Sequence, residues 1–501
     1  MMQLLIIAPV ILPLGTAILA FIFTSSLNFQ RWLSLISFGL QLAVSLLLFE
    51  KVTHSGLQVL WIGNWQPPFG INLVIDQFSA LMLVTSSLLV FCISIYTWSQ
   101  GINLREKQLR YYPLIHLLFM GISGSFITGD LFNLYVFFEI MLMASFVLMS
   151  LEKKRSRIEG AIKYVTLNLL SSAFFLAALG LLYGNLGTLN IADLAQKISL
   201  VESANIVMPA VLISIAFGIK SGVFPLYFWL PASYPQLPSA MVALFGGLLT
   251  KVGVYAMFRV WTIIFRDLQT DLSSWFIIIA CLTMIIGVFG AIVQYEIKKL
   301  LSFHIISQIG YMILGLGIFS KYSIAAAIFF IIHNMIAKTN LYLVGGVFEY
   351  TQGTTQLKKI GGYVKLLPFL SIIFLISALG LAGIPPLSGF FAKFLLIKEV
   401  FIQKSYIAAA IALGVGILTL FSMLKIWAEA FWKKAPQGDQ VYSVKTTLKL
   451  PKTMYISMSI LASATVLMGI EAQTIFSWTL DAAEVLNKPE IYIDAVLKNP
   501  L

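Results

Sequence analysis

The chain has 501 residues, of which 59% are hydrophobic and only 11% charged, with a mean hydropathy of +0.92. A soluble domain carries roughly 25% charged residues, so a soluble protein is excluded and an all-α polytopic membrane protein is expected. The formal charge of +12 does not imply nucleic acid, because the basic residues lie in short loops between apolar stretches, where they orient a membrane protein.

The first stretch, MMQLLIIAPVILPLGTAILAFIF, has no basic n-region and is too long for a signal-peptide core, so it reads as an uncleaved first helix. A span needs about 20 apolar residues, which places about 14 helices. Their approximate positions are 3–24, 31–50, 77–99, 112–129, 131–151, 161–184, 206–229, 239–263, 275–295, 302–319, 323–348, 367–397, 405–431 and 453–477. Between the second and third, LQVLWIGNWQPPFGINLVI alternates and carries turn signals, which predicts a short extramembrane β-hairpin. Residues 436–452 read as a polar loop and the last stretch as a short tail, with no separate soluble domain. Cys92 and Cys281 both lie inside apolar spans, and no nucleotide-binding or HExxH motif occurs, so neither a metal site nor a cofactor is expected in this chain.

Charge sets the expected orientation. About eighteen Lys and Arg residues follow odd-numbered spans and about eight follow even-numbered ones, which puts both termini outside the cytoplasm. The rich side includes Arg105, Lys107 and Arg110, Lys153 to Arg157, Lys298 and Lys299, and Lys358, Lys359 and Lys365; Asp193, Asp267 and Asp271 lie on the other.

The chain also resembles itself at an offset of roughly 166 residues, the mark of a transporter built from inverted repeats. VYAMFRVW (254–261) matches LFSMLKIW (420–427), Asn168 matches Asn334, and SGVFPL (221–226) matches AGIPPL (382–387) at a slightly different offset. Spans four to eight would recur as nine to thirteen. An odd number of helices inverts the second copy, and the prolines predict discontinuous seventh and twelfth spans. The expected divisions are 1–110 for the first helices and hairpin, 111–265 and 266–432 for the repeats, and 433–501 for the loop, last helix and tail.

Ionisable residues inside the spans carry the functional reading. Glu139 lies near the middle of LFNLYVFFEIMLMASFVLMS, where an acid costs about 2.5–3.5 kcal/mol to insert. Lys220, Lys251, Lys338 and Lys393 lie near mid-depth on four other spans, Lys220 being the expected partner of Glu139. Burial lowers a lysine pKa and a nearby carboxylate restores it, so such a series can hold and release protons. His333 and, less directly, His304 could relay protons as well. Arg259, Lys163 and Lys425 lie near predicted helix ends, where snorkelling or static pairing is expected.

The segments LFNLYVFFEIMLMASFVLM, GIKSGVFPLYFWLPASYP, LFGGLLTKVGVY, KKLLSFHIISQIGYMILG and AGIPPLSGFFAKF resemble the antiporter-like subunits shared by respiratory complex I, membrane-bound hydrogenases and Mrp-type cation/proton antiporters. Within that superfamily FNLYVFFEIMLMASF and SFHIISQIGYMILG resemble the D subunits of Mrp-type multisubunit Na⁺/H⁺ antiporters. The resemblance implies fourteen spans with two inverted five-helix units. It makes Glu139 the fifth-span acid, Lys220 and Lys251 the seventh- and eighth-span lysines, His333 and Lys338 the eleventh-span pair, and Lys393 the twelfth-span ionisable residue. Two positions depart from the pattern: ASYPQLPSA follows WLP where relatives often carry a histidine, and Lys393 stands where some carry Glu.

The function expected is a proton-translocating subunit of a cation/proton antiporter: a secondary transporter subunit rather than an enzyme. It would sit in the cell membrane among other membrane subunits, with H⁺ and Na⁺ as substrates and no nucleic-acid partner. The alternatives are a pumping subunit of a complex I-like or hydrogenase-linked oxidoreductase, and a structural subunit whose charges only bind partners. A single clear mid-membrane carboxylate among lysines is a poor Na⁺ site, so Na⁺ is expected to pass through a partner or an interface.

Overall fold

The structure, a computed structural model, describes residues 2–23, 26–98, 105–151, 154–434 and 450–498, with backbone alone at 105–109, 203–204 and 269–271. Eleven helices among the described residues are long and apolar enough to cross a bilayer. Most of the polar loop at 436–452, together with Lys153 and the side chains of Arg105, Lys107 and Asp271, lies outside the described residues.

The first part comprises α1 (Met2–Ile22), α2 (Leu27–Ser55), strands β1 (Gln58–Trp61) and β2 (Asn72–Ile75), α3 (Gln77–Trp98) and α4 (Arg105–Ile127). The strands pair antiparallel, Gln58 opposite Ile75 and Trp61 opposite Asn72. An isolated two-stranded hairpin is marginal in water, and this one is tied to the bundle. Gly129 N–H donates to the Asn72 carbonyl at 3.0 Å, and the Gly129 carbonyl accepts from Ile191 N–H at 2.9 Å.

Asp130 then starts α5 (Leu131–Ser150) by accepting from Asn133 N–H at 2.8 Å, satisfying one of the free donors of a first turn. Next come α6 (Arg155–Leu186), the short α7 (Ile191–Lys197), α8 (Ser203–Ser221), α9 (Trp229–Ser233), α10 (Ser239–Leu244) and α11 (Thr250–Ile263). A π-helical turn at Phe245–Leu249 joins α10 and α11 into one span. After them come α12 (Gln269–Ile292), α13 (Ile297–Ile318), α14 (Lys321–Gln352), α15 (Tyr363–Leu366), α16 (Pro368–Ala382), α17 (Ser388–Ile402) and α18 (Tyr406–Ile426). The core lies along α14 and the α10–α11 span, which are buried all round, whereas only about a third of the apolar stretch of α1 and of α2 is buried.

Both expected helix breaks are present and share one turn. At the end of α8, Gly222 adopts φ 78° and Val223 N–H donates to the Gly218 carbonyl. At the end of α16, Gly383 adopts φ 94° and Ile384 N–H donates to the Leu379 carbonyl. The pattern closes four residues later in each case, Leu226 N–H to Val223 O and Leu387 N–H to Ile384 O. A left-handed residue without a Cβ penalty terminates the helix, and the proline beyond it offers no donor to resume it.

The tail expected from sequence is instead folded. The last span, α19 (Lys452–Ile470), stops earlier than the sequence suggests, and α20 (Ala472–Asn487) and α21 (Pro489–Lys498) follow. These helices are too polar to cross a membrane unaided, yet each has an apolar stripe, which buries Ala482, Ala483, Leu486, Tyr492 and Val496. The α20 helix packs on α3, α11 and α14, and α21 packs on α7 and β1. A short apolar stripe split over two helices does not stand out in an apolar chain, which is why the segment reads as a tail in the sequence.

Candidate proton path

Glu139 is half-buried on α5, and its carboxylate accepts a hydrogen bond from the Ser172 hydroxyl on α6. Lys220 sits in the last turn of α8, buried, with its ammonium 5.0 Å from the centre of the Phe138 ring. It lies within electrostatic reach of Glu139. Among the described residues, however, no ion pair joins the two; an aromatic face and a hydroxyl occupy the near contacts instead. A packed junction lies between Lys220 and Lys251. A Cβ at Gly253 would meet Ser221 Oγ at 2.7 Å and the Lys220 carbonyl carbon at 3.2 Å, so glycine lets the end of α8 close onto α11 beside Lys251.

Lys251 is fully buried and donates to the Gly246 carbonyl at 2.6 Å. That carbonyl belongs to the π-helical turn, a distortion that recurs at functional sites. Lys338, on α14, is also fully buried and donates to the Leu301 carbonyl at 3.3 Å. It lies within electrostatic reach of both Lys251 and Lys393.

Lys393, on α17, donates to the carbonyls of Leu381 and Ala382 at 3.0 and 2.9 Å. These are last-turn carbonyls of α16 left without helical partners by the break, and a cation there meets the negative end of the helix dipole. The second break is therefore capped by a lysine across it. At the first break the Trp229 indole takes the equivalent part, donating to the Ile219 carbonyl at 2.9 Å.

The two histidines are placed differently. His333 Nδ1 lies 2.7 Å from Ser388 Oγ, and its Nε2 faces Gly389 with no protein partner among the described residues. His304 Nε2 lies 2.8 Å from Ser422 Oγ on α18, within electrostatic reach of Lys338 and Lys393. Buried polar atoms of Ser221, Thr250, Ser307, Gln308 and Asn334 also have no protein partner among the described residues. Water is the group that satisfies such atoms inside proteins.

The residues expected to be static are paired. Arg259 grips Asp76 with both terminal nitrogens, assisted by Ser79 Oγ and Tyr255 Oη. Lys163 pairs with Glu159 on an exposed helix face, and Lys425 donates to the Ile292 and Gln294 carbonyls at the end of α12.

A family model described as NADH:quinone oxidoreductase/Mrp antiporter, TM, matches residues 128–422. The chain belongs to this family. It is 42% identical over 496 residues to the Na(+)/H(+) antiporter D subunit of Alkalihalophilus pseudofirmus, covering 99% of each chain. It is 38% identical to the Bacillus subtilis protein of the same name, covering 98% of this chain and 99% of that one. A chain of the Mrp complex from Dietzia sp. DQ12-45-1b superposes with a TM-score of 0.92 at 32% identity, covering 99% of both. The family match spans Glu139, Lys220, Lys251, His304, His333, Lys338 and Lys393.

Sequence reading missed the groups that hold these charges. Gly246, Leu301, Leu381 and Ala382 act through backbone carbonyls, which carry no residue signature. Ser172 and Ser388 are ordinary serines until folding sets them against a carboxylate and an imidazole. Asp76 could have been noticed as an acid directly before an apolar span.

Proposed function

We propose that this chain is the proton-translocating subunit of a multisubunit Na⁺/H⁺ antiporter: a secondary transporter subunit, not an enzyme, working in the cell membrane beside other membrane subunits. In this reading it has fourteen spans, its five-helix units are inverted, and both termini face away from the cytoplasm. Na⁺ crosses outside the lysine series. The support is the family relationship together with one observation: Lys251, Lys338 and Lys393 are each held by neutral carbonyls. A carbonyl accepts from an ammonium without supplying the counter-charge that would fix the proton there, so the lysine can lose it.

Glu139 acts as the counter-charge of Lys220. When the carboxylate leans toward Lys220 the ammonium is favoured; when it returns to Ser172 the lysine releases its proton toward Lys251. Lys338 and Lys393 then pass charge along in turn, each ammonium disfavouring its neighbour's. The membrane potential supplies about 2.3 kcal/mol per charge per 100 mV.

The test is Na⁺-dependent proton flux in everted vesicles carrying the whole complex. Glu139→Ala and Lys220→Ala should each abolish flux while the complex still assembles. Wild-type flux in both variants would overturn the proposal.

A further inference from the structure

Besides the lysine series, a second polar column runs along one face of α14 from its C-terminal end to the molecular centre. Lys338, Tyr342, Gly346 and Glu349 follow at spacings of four, four and three residues, which keeps them on one helix face. From Lys338 to Glu349 is about 16 Å along the axis, roughly half the ~30 Å hydrocarbon thickness.

At the rim, Glu349 is about 42% exposed and pairs at 2.8 Å with Lys298, which is almost fully buried. Lys298 also donates to the Leu237 carbonyl at 2.9 Å, and Ser239 Oγ donates to Glu349 at 2.7 Å. The next step inward is Gly346, where a Cβ would lie 2.6 Å from the Tyr96 hydroxyl and 3.4 Å from Ser239 Oγ. The missing side chain leaves room beside both hydroxyls, and the Tyr96 hydroxyl donates to the Leu343 carbonyl at 2.9 Å. Deeper still, the buried Tyr342 hydroxyl lies 3.2 Å from Ser302 Oγ, one helical turn from Lys338. The Tyr342 ring packs against Gly246, at 2.7 Å from a Cβ there, and the carbonyl of the same residue holds Lys251. The column thus reaches both Lys338 and Lys251, at the junction of the two halves.

We infer that Glu349, Ser239, Tyr96, Tyr342 and Ser302 form a proton-exit column that carries protons from Lys338 to the aqueous rim, the cytoplasmic one in the orientation proposed above. A proton given up by Lys338 passes through hydroxyls and bound water to the Glu349 carboxylate, which hands it to the aqueous rim. Each hydroxyl oxygen accepts one proton and gives up its own, so all end neutral, and the Lys338 ammonium becomes a neutral amine. Lys298 closes the outer end by holding Glu349 in its resting state. The inference rests on the proposed proton-translocating role of the chain.

The experiment measures proton flux in everted vesicles of the intact complex, with assembly followed on native gels. Tyr342→Phe keeps the ring against Gly246 and removes only the hydroxyl; it should lower flux at least tenfold. Ser302→Ala should do the same, and the double variant should be no worse than Tyr342→Phe, because the two serve one transfer. Gly346→Ala should block flux by filling the space beside the Ser239 and Tyr96 side chains. Glu349→Gln should lose flux and Glu349→Asp recover part of it, which a merely structural pair would not require. Normal flux in assembled Tyr342→Phe and Ser302→Ala complexes, with Glu139→Ala inactive, would overturn the column and leave the proposed function standing. Normal flux in all three would overturn both. If Tyr342→Phe does not assemble, Ser302→Ala decides alone.

Discussion

The ammonium of Lys393 caps a helix it does not belong to, donating to the Ala382 carbonyl at 2.9 Å across the break between α16 and α17. Movement of either half-helix therefore changes the surroundings of the charge directly. The corresponding turn after α8 carries its lysine on the near side of the break, since Lys220 is in the last turn of α8 itself. The two breaks share a backbone pattern but place charge on opposite sides of it.

Arginine should not replace the buried lysines. Lys251→Arg and Lys338→Arg preserve a positive charge that cannot be given up at any working pH. Flux should fall at least tenfold in both, although the charge is retained. Activity close to wild type would mean that these residues act only as fixed charges.

Breaking the Asp76–Arg259 pair should destabilise the assembly rather than alter transport chemistry. Removing one partner of a buried pair costs about 3–5 kcal/mol. Thermal unfolding of Asp76→Asn or Arg259→Met complexes should shift clearly downward, and a double variant with packed apolar replacements should recover part of the loss. Equal melting temperatures for wild type and Asp76→Asn would contradict this.

The same pair sets an acid limit. Burial alone would raise the Asp76 carboxyl, but the Arg259 charge and its hydrogen bonds outweigh it and hold the carboxyl below its ordinary value. A depressed carboxyl contributes stability that is complete above the unfolded pKa of about 3.9 and is lost only as pH falls further. The contribution of the pair, measured as the stability difference between wild type and Asp76→Asn, should be constant from neutral pH to about 5 and shrink below about 4. A difference already shrinking at pH 6 would rule this out.

Glycine contacts give a paired comparison. A Cβ at Gly389 would overlap the Gly380 carbonyl of the facing half-helix, whereas a Cβ at Gly184 meets nothing. Gly389→Ala should separate α16 from α17 and reduce both flux and assembly. Gly184→Ala should leave transport unchanged and stabilise slightly, by about 0.5–1 kcal/mol. Similar behaviour of the two variants would show that close approach at the break is unimportant.

Truncation after Glu471 should loosen the hairpin first. The Trp61 indole donates to the Val496 carbonyl at 3.2 Å, and the Tyr492 ring lies 5.6 Å from Arg259. Without α20 and α21, limited proteolysis between Trp61 and Asn72 should accelerate before the central helices become accessible. An unchanged cleavage pattern would show that the two helices are dispensable.

By itself the sequence determined the all-helical membrane fold, the hairpin, both helix breaks and the placement of ionisable residues inside apolar spans. These are local matters: apolar length, turn residues, proline, and the conspicuous cost of a charge in hydrocarbon. It did not determine what each charge touches. That Lys220 faces Phe138 rather than pairing with Glu139, that Lys251 and Lys393 rest on carbonyls, and that Arg259 grips Asp76 depend on helices far apart in the chain coming into register. Every residue has a carbonyl, so only tertiary packing decides which ones are freed by a break or a π-helical turn and brought within reach of an ammonium. The fold of the C-terminal segment was settled in the same way, because its apolar stripe gains meaning only against α3, α11 and α14.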